Sequence, residues 1–361
     1  KAVKSSDIVF ICVGTPTKKN GIGADLSQIY GVSKEISNHI KKFKVIVNKS
    51  TVPVITGDKV EKIILKKTKK KLFSVVSNPE FLREGEAIRD FIYPDRIVIG
   101  TDNKKSNKLL KQLYAPLISK GAKYINTSRR AAELIKYASN AFLATKITYI
   151  NEIANMCEKL NVNVEDVSIG MGTDKRIGGR FLRAGPAYGG SCFPKDTRAI
   201  LNTANEIKSD LSLIKSVIKS NENRSKILTQ RIFKILNGKL KNKRICLLGV
   251  TFKANTDDMR ESSSLKIIPA LSKKGALITY YDPTGEKKEF KKMKNVKFKP
   301  SIKTSCENSD LIIIHTEWND FKSIDYKKIL NKKDFKIFDM RNIYSAEKMK
   351  KDKINYFSIG R

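Results

Sequence analysis

The sequence predicts an α/β protein in which two doubly wound sheet domains flank a helical middle containing one long helix. Three observations carry this reading. Short apolar runs alternate with helix-length segments in the first third of the chain and again in the last third. Between them, from about Ser128 to Asn205, the strand signal nearly vanishes. The 361 residues, 40% of them hydrophobic, also supply enough apolar material for two or three separate cores.

The elements follow in chain order. Ile8 to Val13, Lys44 to Val47, Phe73 to Val76 and Ile97 to Ile99 read as strands, and Leu26 to Lys42 and Asp58 to Lys67 as helices. The turn Gly14-Thr15-Pro16 falls at the carboxyl end of the first strand, where open parallel sheets take their ligands. Ala131 to Leu160 places Leu134, Tyr137, Ala138, Ala141, Phe142, Ile147 and Ile150 at helical spacing, with no Gly or Pro to interrupt it. The last third opens with a helical lead-in from Ser220 to Leu236. The strand Arg244 to Gly249, the helix Ser262 to Lys274 and the strand Leu277 to Tyr281 come next, then the apolar run Leu311 to Ile314 and the strand Phe335 to Phe338. The expected domains are residues 1–127, 128–219 and 220–361, the first and last Rossmann-like.

Charge and cysteine usage narrow the classes. The formal net charge of +36 comes from 72 basic against 36 acidic residues. The lysines are scattered in short groups such as Lys69-Lys70-Lys71 without interleaved aromatics, which reads as solvated surface rather than a nucleic-acid face. A nucleic-acid protein remains the weakest of the alternatives. No stretch reaches the roughly 18 apolar residues of a membrane span, and no leader pattern opens the chain, so a soluble cytoplasmic protein without a membrane partner is expected. Cys12, Cys157, Cys192, Cys246 and Cys306 form no C-x-x-C pair and leave an odd one over, arguing against a disulfide framework and a zinc site. Cys12 and Cys246 lie in apolar runs and read as small buried hydrophobes. His39 and His315 read as structural, and no metal is expected.

Cys192 is different. It lies in Tyr188-Gly189-Gly190-Ser191-Cys192-Phe193-Pro194-Lys195-Asp196-Thr197-Arg198. Two glycines let the backbone approach a ligand, and Pro194 suits the first turn of a helix. A cysteine at a helix amino end beside a lysine has the surroundings of a nucleophile, and Asp196, one turn on, faces the same site. Lys136 and Asn140, four apart on the long helix, can point at one oxygen. A solvated helix face is the plain alternative for that pair, and exposed helical carboxylates for Glu80 and Glu84.

The segment around Cys192 resembles the active-site signature of the UDP-glucose/GDP-mannose dehydrogenase family, nearest to its UDP-glucose-oxidising members. Supporting motifs run in the family's order along nearly the whole chain. They are Lys49-Ser50-Thr51-Val52-Pro53-Val54, Asn78-Pro79-Glu80-Phe81-Leu82-Arg83-Glu84-Gly85, Ala132-Glu133-Leu134-Ile135-Lys136-Tyr137-Ala138-Ser139-Asn140, Phe252-Lys253, Arg260-Glu261-Ser262 and Thr316-Glu317-Trp318. The resemblance implies an NAD-binding first domain, a central dimerisation and active-site region, and a last domain that binds the UDP-sugar. It implies NAD-dependent, four-electron oxidation of UDP-glucose to UDP-glucuronate by a homodimer, through a thiohemiacetal and then a thioester on Cys192. It assigns Lys136 and Asn140 to oxyanion stabilisation, Asp196 and Thr51 to holding and activating water, and Glu80 to thioester hydrolysis. Thr15, Thr51, Glu84, Lys195 and Arg260 match positions around NAD. On the substrate side it implicates Glu80, Phe81, Leu82, Lys136 and Asn140, together with Arg176 reaching across a dimer interface, Phe181, Tyr188, Gly189, Lys253 and Arg341.

One expected feature is missing. A dinucleotide-binding domain opens with a strand, a G-x-G-x-x-G turn and a helix, and about 70 residues of that half-domain do not precede Ile8. The first domain is therefore expected to be incomplete at its N-terminus, its strands at Ile8 and Lys44 left with an uncovered edge, and activity impaired. Two alternatives stay open: a non-catalytic nucleotide-sugar-binding fragment, and a sister dehydrogenase acting on GDP-mannose or UDP-N-acetylmannosamine.

Overall fold

The computed structural model describes residues 2–18, 23–330 and 334–361. The chain forms two compact units, one of Lys1–Phe142 with Lys195–Leu211, the other of Leu143–Pro194 with Ser212–Arg361.

The first unit is built on a five-stranded sheet in the order β1 (Ile8–Ile11), β2 (Lys44–Asn48), β3 (Phe73–Ser77), β4 (Arg96–Gly100) and β5 (Lys123–Thr127). β1, β2 and β3 are parallel, as are β4 and β5, while β3 meets β4 antiparallel through Ser77 and Gly100. β2 and β3 are buried along their whole length, as strands of a sheet covered on both faces must be. The two-residue period of a strand then sorts their side chains between two cores. Ile46 and Val75 join Ile29 and Val60 on one face, and Val45, Val47 and Val76 join Ile99 and Leu110 on the other.

The second unit carries six parallel strands, β6 (Arg244–Leu248), β7 (Leu277–Tyr281), β8 (Val296–Phe298), β9 (Leu311–Ile314), β10 (Lys336–Asp339) and β11 (Asn355–Ser358). Their spatial order is β8, β7, β6, β9, β10, β11, the doubly wound arrangement of dinucleotide-binding folds, with the switch point between β6 and β9. Ile245, Leu247, Leu311 and Ile313 face one core, and Cys246, Leu248, Ile312 and Ile314 the other. The long helix forms over Arg129–Leu160.

The interior strands lie where the apolar runs place them. The three strands without such a run, β5, β8 and β11, all stand at sheet edges, where half of each strand faces solvent and no continuous apolar stretch is needed. Of the two strands expected at an edge, only β1 stands at one, because β2 lies between β1 and β3. Cys12 is exposed rather than buried: β1 ends at Ile11, so the cysteine has left the sheet. The helix expected to run to Lys42 stops at Ser37, with the Ser33 and Ser37 hydroxyls turned back onto the carbonyls of Ile29 and Lys34 at 2.7 and 2.6 Å. Among the described residues no helix is long and apolar enough to cross a membrane.

His315 follows directly on β9 and is buried, its Nε2 2.7 Å from the Ser263 hydroxyl and its Nδ1 3.0 Å from that of Thr316. Burial, helped by the Arg341 charge, lowers its pKa to about 3. The unfolded chain, titrating near the ordinary ~6.5, takes up the proton first as pH falls. The stability tied to the neutral ring is complete above about pH 6.5 and is lost on the way down to about 3, by up to about 1.4 kcal/mol per pH unit. Urea unfolding followed between about pH 7 and pH 4 should show a pH slope that His315→Gln flattens, and an unchanged slope in the variant would place its origin elsewhere.

Candidate active site

Within the first unit the motif residues gather at the carboxyl ends of β1, β2 and β3. Lys136, from the long helix, is 4% exposed and reaches Glu80 Oε1 at 3.4 Å. Glu80 stands on the loop after β3, where its Oε2 accepts the Leu82 N–H at 2.6 Å and its Oε1 lies 3.5 Å from the Thr51 hydroxyl. Thr51 lies on the loop after β2, and its carbonyl accepts the Thr15 hydroxyl at 2.9 Å. The Phe81 ring takes two cations, Arg96 at 4.1 Å and Lys136 at 5.3 Å from its centroid, which fixes the lysine by its charge as well as by hydrogen bonding. Asn140 is buried and donates to Asp196 Oδ2 at 2.6 Å, while Lys195 donates to Asp196 Oδ1 at 2.7 Å. Asp196 is itself buried, so this carboxylate is held by an amide and an ammonium, as a buried charge requires.

These positions exclude the plain alternatives. Lys136 and Asn140 are on no solvated face, and Glu80 is on no helix. Thr15 and Thr51, joined at 2.9 Å beyond the ends of β1 and β2, lie where parallel sheets take their ligands, and their hydroxyls and backbone groups suit the polar parts of NAD.

Sequence spacing alone missed three parts of this site. Glu133, one turn before Lys136, is buried with its carboxylate on Ile55 N–H, Gly57 N–H and the Ser77 hydroxyl at 2.9, 2.7 and 3.0 Å. Burial raises its pKa to about 7 against the pull of those donors. Lys49 donates to Asn78 Oδ1 at 3.2 Å, and burial lowers its pKa to about 8, partly opposed by Glu80. Asn48, Ser50, Val52, Ser77, Pro79, Glu133 and Lys136 line a small cavity. The position of Glu133 three residues before Lys136 was the available signal, obscured because acidic residues near a helix start are common.

The second unit holds the remaining predicted residues. Cys192 is partly exposed and directly precedes the helix Phe193–Glu206, with the Ser191 hydroxyl 3.6 Å from its sulfur. The loop that carries it is pressed against the segment that follows β6. A Cβ on Gly189 would stand 2.6 Å from the Glu261 carbonyl oxygen, and one on Gly190, whose φ is +77°, 2.7 Å from the Phe252 ring. The Gly190 N–H donates to the Arg260 carbonyl at 2.8 Å. Only glycine permits that approach.

Phe252 and Lys253 follow β6, Thr316 and Glu317 follow β9, and Arg341 follows β10, so all border the switch-point crevice. Gly249, at φ +75°, brings the first two of these turns together, since a Cβ there would meet the Thr316 Cβ at 2.5 Å. Arg341 donates to the carbonyls of Phe252 and His315 at 2.9 Å each and pairs with Glu317 at 2.9 Å, tying three strand ends together. Arg260 is held by the Asp258 carboxylate through two nitrogens. Arg176 is exposed and paired with Asp174. Tyr188 is buried in a small core with Ala144 and Val217, and both its ring and that of Phe181 meet Phe193 edge-on at 6.2 and 6.0 Å.

Comparison with known proteins identifies the family. Residues 1–118 match the NAD-binding domain of the UDP-glucose/GDP-mannose dehydrogenase family, 130–223 its central domain and 246–346 its UDP-binding domain. The chain is 44% identical over 363 residues to a UDP-glucose 6-dehydrogenase of Rhizobium meliloti, a match covering 100% of this chain and 83% of that protein. Among solved structures, a UDP-glucose dehydrogenase from Pyrobaculum islandicum superposes with a TM-score of 0.88 at 33% identity, over 99% of this chain and 80% of that one. A UDP-D-ManNAc dehydrogenase from Pyrococcus horikoshii gives 0.85 at 26% identity, over 100% and 82%. The chain belongs to the UDP-glucose/GDP-mannose dehydrogenase family.

Proposed function

We propose that this protein oxidises UDP-glucose to UDP-glucuronate with two NAD in turn, using Cys192 as the covalent nucleophile. What supports the reading most is the partly exposed cysteine at a helix start, on a two-glycine loop pressed against the segment that follows β6 of a doubly wound sheet. The higher identity to the UDP-glucose enzymes than to the UDP-D-ManNAc enzyme favours UDP-glucose over the sister substrates.

The roles follow from chemistry. NAD, when bound, accepts the hydride from the sugar's C6 in each oxidation. Asp196 and Thr51 hold the water that takes the proton of the 6-hydroxyl as the alcohol becomes an aldehyde. The Cys192 sulfur then bonds to the aldehyde carbon, and Lys136 and Asn140 stabilise the oxygen on which charge develops. Loss of the second hydride leaves a thioester. With Glu80 assisting, water adds to its carbonyl carbon, the carbon–sulfur bond breaks, and the acid departs with Cys192 restored. Lys253 and Arg341 supply positive charge at the crevice for the nucleotide, and Gly189 lets the Cys192 loop lie close beside Glu261 and Phe252. Five free thiols suit a reducing compartment such as the cytoplasm.

A homodimer belongs to the same proposal. Phe142, Tyr149, Met156 and Leu160 recur on one face of the long helix and are all exposed, the pattern of a helix that packs against a partner. Arg176 is the residue proposed to reach the neighbouring subunit's substrate.

Two measurements test this. In the enzyme expressed from its whole reading frame, NADH formation should be fastest with UDP-glucose, and Cys192→Ser should lower kcat by at least roughly 10³-fold. A variant with the unmodified rate, or a preference for GDP-mannose, would overturn the mechanism or the substrate respectively. In light scattering, Met156→Lys combined with Leu160→Lys should convert a dimer to monomers, whereas Arg176→Ala should remain dimeric with a raised KM for UDP-glucose. A monomeric wild type would end the dimer proposal.

A further inference from the structure

The helix Thr56–Leu65 begins without help from its own capping residue. Ile55, at that position, makes no side-chain cap and has φ = 78°, a left-handed conformation that a β-branched residue adopts only when its surroundings impose it. Glu133 imposes it. Its Oε2 takes the Ile55 N–H at 2.9 Å and its Oε1 takes the Gly57 N–H at 2.7 Å, so a carboxylate from another helix satisfies first-turn donors and complements the helix dipole. The Ser77 hydroxyl, at the end of β3, donates to the same Oε1 at 3.0 Å. Gly57 leaves room for this, since a Cβ there would lie 3.0 Å from Glu133 Oε1.

The segment so pinned starts at Thr51. Pro53, midway, accepts both the N–H and the hydroxyl of Thr56, at 3.2 and 2.6 Å, which leaves the span from Thr51 to Ile55 little freedom. Its far end, the Thr51 hydroxyl, stands 3.5 Å from Glu80 Oε1, the same oxygen that Lys136 reaches at 3.4 Å. Glu133 and Lys136 are one turn apart on a single helix, so that turn grips the Thr51 segment from behind and Glu80 from in front.

We propose that Glu133 is a positioning residue of the oxidation: by capping the helix Thr56–Leu65 and holding Ile55 left-handed, it keeps Thr51 in register with Glu80 and Lys136. It touches no reacting atom and acts through Thr51. The inference rests on the functional reading above.

Glu133→Gln is the direct test, because an amide must present an NH₂ to one of the three donors. In the full-length enzyme, kcat should fall roughly 10- to 100-fold while KM for UDP-glucose moves less than about threefold. Thr51→Ala and the double variant complete a cycle. If Glu133 works through Thr51, the double variant should be no slower than Thr51→Ala alone, whereas a merely structural role gives independent, additive losses. Additive losses, or a wild-type kcat in Glu133→Gln, would overturn the proposal. Should Glu133→Gln fail to fold, Gly57→Ala displaces the same carboxylate and takes its place in the cycle with the same expected pattern. A wild-type enzyme that forms no NADH from UDP-glucose sinks the functional reading itself, while active wild type with an unaffected Glu133→Gln sinks only this inference.

Discussion

The close approach of the Gly189–Gly190 backbone to Phe252 and Glu261 is the contact on which the rest of the proposed chemistry depends. It seats the loop of Cys192 at the ends of the second sheet's strands, where the switch point between β6 and β9 opens a crevice. A methyl group at either glycine would push the loop outward or distort the turn. The neighbouring turns are set by the same kind of constraint. Gly249 lets the turn after β6 lie against Thr316, and Arg341 stitches both to the end of β10 through carbonyl hydrogen bonds. The crevice is thus a backbone construction, with side chains added to it.

The first unit is organised by buried charge instead. Lys136, Asp196 and Glu133 are all nearly inaccessible, and each has its charge answered by a named partner. Such groups add little net stability, since the desolvation they suffer offsets their attraction. What they contribute is geometry. Asn140, Lys195 and Asp196 form a linked trio, and Lys136, Glu80 and Thr51 another, each with few alternative arrangements. Preorganised polar groups of this kind suit a reaction whose charge moves on and off one oxygen.

Legibility in the sequence followed burial. β2, β3, β6 and β9 are buried along all or nearly all of their length, so their central residues are apolar or small and the run announces the strand. β5, β8 and β11 lie at edges and carry lysines, asparagines or threonines among their few apolar residues, leaving no run to see. Cys12 was misread for a related reason: an apolar neighbourhood in sequence does not reveal where the strand stops. The site was legible where a residue type is chemically unusual for its setting, as with Cys192 among glycines. It was not legible where an ordinary residue acquires its task from a distant partner, as with Glu133 beside Ile55 and Gly57, or Arg96 on Phe81.

By itself the sequence determined the α/β class, the long central helix, the glycine-flanked cysteine at a helix start and the family motifs, because periodicity, glycine placement and residue chemistry are local properties of the chain. Tertiary structure alone decided that Asn140 holds Asp196, that Lys136 shares Glu80 with Thr51, and that a left-handed isoleucine is held by a carboxylate 78 positions away. Those pairings join segments far apart in sequence, and no local pattern encodes which buried donor will meet which acceptor once the chain has collapsed.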